Sequence, residues 1–230
     1  MTKENILFTI IGALIGLIGG FFITNSLNQG IAVPGGGTGA AQTGSLPAGH
    51  PAVPGGNGSA PEVQAAIDTA KQNPNDFEAQ MKAAELYYQI QRFDGAVEFL
   101  KKANALQPDN QEVIVNLGNA NFDGEHYDEA EKWYTAALSK KPDNLDVRTD
   151  FGLTFVFRSK PDYDRAVAEF KKVLEADPAH IQALQNLAVA YTKKSDSGNA
   201  SATLAKLELA DPTNSSLNKL REDVAKLSSK

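Results

Sequence analysis

The order of apolar and polar residues divides the chain into three stretches. From Ile6 to Thr24 it reads ILFTIIGALIGLIGGFFIT, a run with no charge whose polar members are two threonines. From residue 25 to residue 60 no period holds, and glycine and proline interrupt every short apolar group. From Pro61 to the end, apolar residues return every three or four positions, the period that predicts amphipathic helices. These helices come in pairs of similar length, separated by short polar turns. The expected fold class is therefore all-α, a solenoid of stacked helix-turn-helix units preceded by one transmembrane helix.

The first stretch is long enough to matter. At about 1.5 Å of rise per residue, Ile6–Thr24 covers roughly the 30 Å hydrocarbon core of a bilayer. A cleaved signal peptide would have an apolar core of about 7–15 residues and a small-x-small cleavage site. Residues 1–24 are thus expected to form an uncleaved N-terminal anchor. Lys3 precedes the run, and no Lys or Arg follows before Lys71. The positive-inside rule then places the N-terminus in the cytoplasm and the rest outside it, in the periplasm if the cell is bacterial. Gly12, Gly16 and Gly20 are spaced four apart and share one helix face, a pattern that lets two membrane helices approach closely. The expectation is a homo-oligomer, or pairing with a partner's span.

Residues 25–60 carry no charge and cannot bury enough apolar surface to offset their ordering entropy. They are expected to be a disordered linker that lets the rest of the chain search for partners near the membrane. Its His50 has no second ligand nearby, so a solvated linker histidine is the expectation.

Within 61–230 the sequence repeats itself. Aligned on a recurring proline (Pro108, Pro142, Pro178, Pro212), the units are 77–110, 111–144, 145–180 and 181–214. The third is two residues longer, at the turn Arg158-Ser159-Lys160-Pro161-Asp162. Position 8 of each unit is small (Ala84, Gly118, Gly152, Ala188) and position 20 is alanine (Ala96, Ala130, Ala166, Ala200). Position 24 is Leu100, Tyr134, Phe170 or Leu204. Four units in one register resemble the tetratricopeptide repeat (TPR). The departures are at position 4, where the usual Trp is replaced by Gln80, Ile114, Arg148 or Leu184, and at position 27, where Val173 and Leu207 stand in the last two units. The resemblance implies a right-handed solenoid. In it, positions 8 and 20 mark the close crossing of each helix pair, and the residues at 24 fill the space between units. Asp109, Asp143, Asp177 and Asp211, beside the prolines, are expected to supply turn and capping chemistry. A solenoid needs covers at its ends. Residues 61–73 and 215–228 have amphipathic faces (Val63, Ala66, Ile67, Ala70; Leu217, Leu220, Val224, Leu227) and are expected to be cap helices, giving ten helices in all.

The same resemblance assigns a binding groove to the first helix of each unit. It implies apolar anchors at Tyr88, Phe122 and Phe157. Asn116, Asn119 and Asn186 would hold the backbone of an extended peptide, with Gln185 beside them. Co-chaperone TPR domains clamp a partner's C-terminal carboxylate with Lys, Arg and Asn. Here Asn116 fits such a clamp, but Met81, Glu85, Asp146 and Asp150 stand where cations or Asn are needed. Asp150 and its acidic neighbours favour a neutral or basic segment of a protein or peptide partner.

Composition closes off other classes. Net charge is −6 and the acid lies almost wholly beyond residue 61, which argues against nucleic acid. There is no cysteine, hence no thiol nucleophile, zinc-thiolate site, attachment point for c-type haem or lipoprotein anchor. His50, His126 and His180 show no metal-ligand spacing, and no P-loop, dinucleotide fingerprint or nucleophile elbow appears. No catalytic residue, metal or cofactor is expected. The functional expectation is a membrane-tethered protein-interaction scaffold. Alternatives are a client-holding subunit of a periplasmic assembly system, such as cytochrome c maturation, and a structural spacer assembled through the glycine face.

Overall fold

The computed structural model describes residues 60–228. The predicted membrane span with Gly12, Gly16 and Gly20, and the linker with His50, lie outside the described residues. Among the described residues no helix is long and apolar enough to cross a membrane.

Ten helices run through the described residues, with no strand among them: α1 (Ala60–Gln72), α2 (Phe77–Gln89), α3 (Phe93–Leu106), α4 (Gln111–Asp123), α5 (Tyr127–Lys140), α6 (Leu145–Phe157), α7 (Tyr163–Ala176), α8 (Ile181–Lys193), α9 (Ser197–Ala210) and α10 (Leu217–Ser228). Consecutive helices pack as antiparallel neighbours, and the leading helices of adjoining pairs also touch, α4 against α6 and α6 against α8. The trailing helices α3, α5, α7 and α9 make no comparable contact with one another. The leading helices therefore crowd along one side, which becomes the inner face of the stack. At the two ends α1 buries Val63, Ile67 and Ala70, and α10 buries Leu217, Leu220 and Val224. Each covers an apolar face that would otherwise meet water.

The close crossing inside two of the pairs is made differently from the sequence expectation. In the second and third units the glycine at position 8 lies under the ring at position 24, not simply against the alanine at 20. A Cβ added at Gly118 would stand 2.5 Å from the Tyr134 ring, and one at Gly152 would stand 2.5 Å from the Phe170 ring. Ala96, Ala130, Ala166 and Ala200 are fully buried as well.

The helix starts also need a correction. The capping acceptor is a later residue than the expected aspartate, the next one at Asn110 and Asn144 and the third one on at His180. Asn110 accepts from the amides of Glu112 and Val113, Asn144 from Val147, and His180, through Nδ1, from Ala183. An N-cap side chain satisfies amides that have no partner inside the helix. Asp177 and Asp211 instead bind turn amides, of Ala179 and Thr213, and Asp109 pairs with Lys140.

Within the first, second and fourth pairs the turn is a tight reversal in which the residue after the C-cap has positive φ. These residues are Gln91 (58°), Glu125 (62°) and Ser195 (60°). Each turn is closed by a long-reach amide bond: Arg92 to Tyr87 O, His126 to Asn121 O, and Asp196 to Tyr191 O. In the third unit the two extra residues loop out, and the same closure survives as Asp162 N to Phe155 O at 2.8 Å. The insertion is then tied to the preceding unit, because Arg158 and Arg165 both bind Glu131 and both lie over the Phe155 ring.

Position 4 explains one departure from the family pattern. Gln80 is fully buried, and its Nε2 donates to the carbonyls of Ala70 (2.8 Å) and Asn73 (3.1 Å). It thereby holds the C-terminal end of α1 against α2.

Candidate groove on the inner face

The inner face is built by positions 6, 9 and 13 of the leading helices, which fall on one side of a helix at 3.6 residues per turn. On α4 these are Asn116, Asn119 and Asp123. On α6 position 6 is Asp150, so Asn116 and Asp150 occupy equivalent places on two helices in contact.

Asn116 is 6% exposed, and its Nδ2 has no hydrogen-bond partner. Asn119 is 2% exposed, and its Oδ1 accepts from the Tyr134 hydroxyl at 2.8 Å. That oxygen is committed to the fold. Gln185 and Asn186 are buried on α8.

The aromatic residues also turn out more engaged than open anchors would be. The Tyr88 hydroxyl donates to Asp123 Oδ2 from the end of α2. Phe122 is buried and meets Phe157 edge-on with ring centroids 5.8 Å apart. Tyr127, at the start of α5, meets Phe122 edge-on and stacks on Phe157. These three rings form one aromatic block across α4, α5 and α6 in which Phe157 remains partly exposed. Tyr127 escaped the sequence reading because it sits on a trailing helix. The hydroxyl of Tyr134 was the available signal for its bond to Asn119, since a buried tyrosine requires a partner for its polar end.

Three carboxylates lie along this face. Burial pushes the Asp150 carboxyl up to about 8, helped by the nearby charges of Asp146 and Asp123. Burial pushes Asp123 up to about 6, with the Tyr88 hydrogen bond pulling the other way. Desolvation is the larger cause in both. Tyr88 and Tyr134 are raised by burial and then by these acids, and Tyr127 is raised to about 12, mainly by burial. Asp146 faces His180 Nε2 at 3.4 Å. Among the described residues no Lys, Arg or His makes an ion pair with Asp123 or Asp150.

A shallow hollow lies at one end of this face, lined among others by Tyr87, Arg92, Phe93, Asp123, Glu125 and His126. Its edge is held by His126 Nε2 and Asp94 at 2.8 Å. The eight groove residues read from the sequence lie on α2, α4, α6 and α8 and none lines this hollow. No group of three His, Cys, Asp or Glu residues among the described residues is arranged to hold a metal ion.

Stacked helical hairpins with polar side chains buried along the inner face define an α-solenoid repeat protein. The chain belongs to the tetratricopeptide-repeat family: one model of that repeat matches residues 91–149 and 160–224, and a second matches 59–111. Solved structures share the fold. The crystal structure of MamA is 24% identical, with a TM-score of 0.58 over 66% of this chain and 81% of that one. That of YrrB, described as a TPR protein with an unusual peptide-binding site, is 20% identical, with a TM-score of 0.61 over 70% and 82%. That of PilW, a widely conserved type IV pilus biogenesis factor, is 20% identical, with a TM-score of 0.61 over 74% and 80%. A curated relative, the BBSome complex member BBS4 homolog of Drosophila melanogaster, is 23% identical over 157 residues, 66% of this chain and 31% of that protein. The chain thus spans about a third of that relative's length.

Proposed function

We propose that this protein is a membrane-tethered scaffold that holds an extended segment of a partner protein along the inner face of α2, α4, α6 and α8. The observation that carries the reading is Asn116. A buried amide donor with no partner costs about 1–3 kcal/mol, and a peptide carbonyl laid along α4 would satisfy it. The partly exposed edge of Phe157, packed on Phe122 and Tyr127, supplies apolar contact further along the same face. The acids of the face favour a neutral or basic segment over an acidic one. YrrB, a protein of the same fold, is described as having a peptide-binding site.

The tether is residues 6–24, with the N-terminus in the cytoplasm and the repeats outside it. This part of the reading rests on the length and apolarity of that run and on the position of Lys3. Protease added to sealed vesicles checks it. Digestion of the repeats only from the cytoplasmic side would reverse the orientation.

The groove is tested by placing a photocrosslinking residue at Phe157 in the full chain in its own membrane and identifying the adducts. Adducts with a heterologous protein, lost when Asn116 is replaced by Leu, are the expected result. Adducts only between copies of this chain would favour the spacer assembled through Gly12, Gly16 and Gly20. A set of unfolded clients would favour a holding subunit of an assembly system.

A further inference from the structure

The carboxylates of the inner face differ in how they are balanced. Asp146 has His180 within 3.4 Å. Asp123 has one oxygen on the Tyr88 hydroxyl and the other, Oδ1, buried with no partner. Asp150 has no cation in ion-pair range among the described residues. Two such groups on adjoining helices are costly in a folded chain unless something outside it supplies donors. Beside them Asn116, more than nine-tenths buried, offers an unpaired donor. The free valences are therefore of two kinds: an amide N–H that requires a carbonyl, and carboxylate oxygens that require N–H donors carrying positive charge.

A peptide residue with a cationic side chain presents both kinds at once. Its backbone carbonyl can accept from Asn116 while its side chain donates to the acids. We propose that Asp123, Asp150 and Asn116 form a subsite for one lysine or arginine side chain of the bound segment, a proposal that rests on the groove reading above. Arginine fits better than lysine, because its planar fork can give parallel hydrogen bonds to carboxylate oxygens. The other titratable or charged groups around the subsite are Tyr88 of α2, Arg92 before α3, Glu125 and His126 between α4 and α5, Tyr127 and Tyr134 of α5, Asp146 of α6 and His180 before α8. Arg92 and His126 line the hollow beside Asp123, but neither makes an ion pair with it, and His126 is engaged by Asp94. None of the three tyrosines supplies a positive charge, and His180 is engaged by Asp146 and by the Ala183 amide. Since burial holds the proton on Asp150, the cation must displace it, and binding releases a proton.

The test selects a random nine-residue peptide library on the full chain in detergent micelles, alongside Asp150→Asn and the double variant Asp123→Asn/Asp150→Asn. Both replacements keep side-chain shape and remove the ionisable carboxyl, and circular dichroism checks their helix content. The expected result is that peptides retained by the native chain carry Arg or Lys at one fixed register, enriched about tenfold, the size of one well-made charged contact. The double variant should retain peptides without that preference. An Arg peptide from the selection should bind on the order of tenfold tighter at pH 8.5 than at pH 6.5, as Asp150 gives up its proton. Retained peptides with no cationic preference, or a preference that persists in the double variant, would overturn the subsite and leave the groove standing. No retained peptide at all would overturn both.

Discussion

The Phe170 ring covers Gly152 so closely that a Cβ on the glycine would lie 2.5 Å from Cε1 of the ring. The pairing is reciprocal through the chain. Where position 24 is aromatic (Tyr134, Phe170), position 8 is glycine (Gly118, Gly152). Where position 24 is leucine (Leu100, Leu204), position 8 is alanine (Ala84, Ala188). At Gly118 and Gly152 the missing methyl makes room for the ring.

Gly152→Ala should therefore destabilise the protein by about 1–3 kcal/mol through overpacking, although alanine is the better helix former by about 1 kcal/mol. Adding Phe170→Leu should recover part of the loss, since the double variant reproduces the Ala–Leu pairing of the first and fourth units. Urea unfolding of the two single variants and the double measures this. Additive losses would show that the ring does not set the limit.

Tyr134→Phe removes the donor to Asn119 Oδ1 while keeping the ring. The oxygen would remain enclosed at 2% residue exposure with its bond lost. The expected cost is about 1–3 kcal/mol, read as a lower unfolding midpoint at unchanged slope. A neutral result would mean that water or another donor reaches Asn119.

Gln91, Glu125 and Ser195 hold φ near 60° in the tight turns. A left-handed backbone costs a residue with a Cβ about 1–2 kcal/mol, and glycine nothing. Part of the gain is returned as unfolded-state entropy. Each of Gln91→Gly, Glu125→Gly and Ser195→Gly should raise stability by about 0.5–1 kcal/mol, and the three effects should add because each relieves strain within its own turn. Thermal melts of the three variants and their combination decide it.

Stability should depend on pH through Asp150. Its carboxyl is raised in the folded protein to about 8 from an ordinary 3.8, so the folded state holds the proton more tightly than the unfolded chain. The contribution is fully present below the ordinary value and is lost as pH rises through about 8. Asp123, raised to about 6, acts in the same direction. The native protein should melt at a lower temperature at pH 8.5 than at pH 5.5, and Asp150→Asn should reduce the difference. At pH 8.5 the variant should be the more stable by about 1–3 kcal/mol. An unchanged pH profile in the variant would assign the dependence to other groups.

Much of the repeat architecture was legible without coordinates. A 3.6-residue period, small residues at two fixed positions and a recurring proline are local constraints, and the same constraint recurs four times. Before α4 the capping residue was misplaced by one because Asp109 and Asn110 are both capable acceptors. Which of them reaches the helix amides depends on how the turn runs, and that is a matter of backbone path. The groove was legible in outline only. Asn116 and Asp150 appear in the sequence as one polar and one acidic residue 34 positions apart, and nothing in the order of residues says that Asn116 becomes buried with its amide unpaired.

The sequence by itself determined the helices, their pairing and the apolar faces of the two ends, because those follow from periodicity and side-chain size along one chain. It also carries the long uncharged run of Ile6–Thr24, from which the tether is inferred. The tertiary structure decided which polar atoms are paired. Tyr134 reaches Asn119, Tyr88 reaches Asp123 and His180 reaches Asp146, whereas the Asn116 Nδ2 is left without a partner and Asp150 without an ion pair among the described residues. Burial and hydrogen bonding are properties of neighbours brought together by stacking, and stacking is what places one repeat's position 6 beside the next.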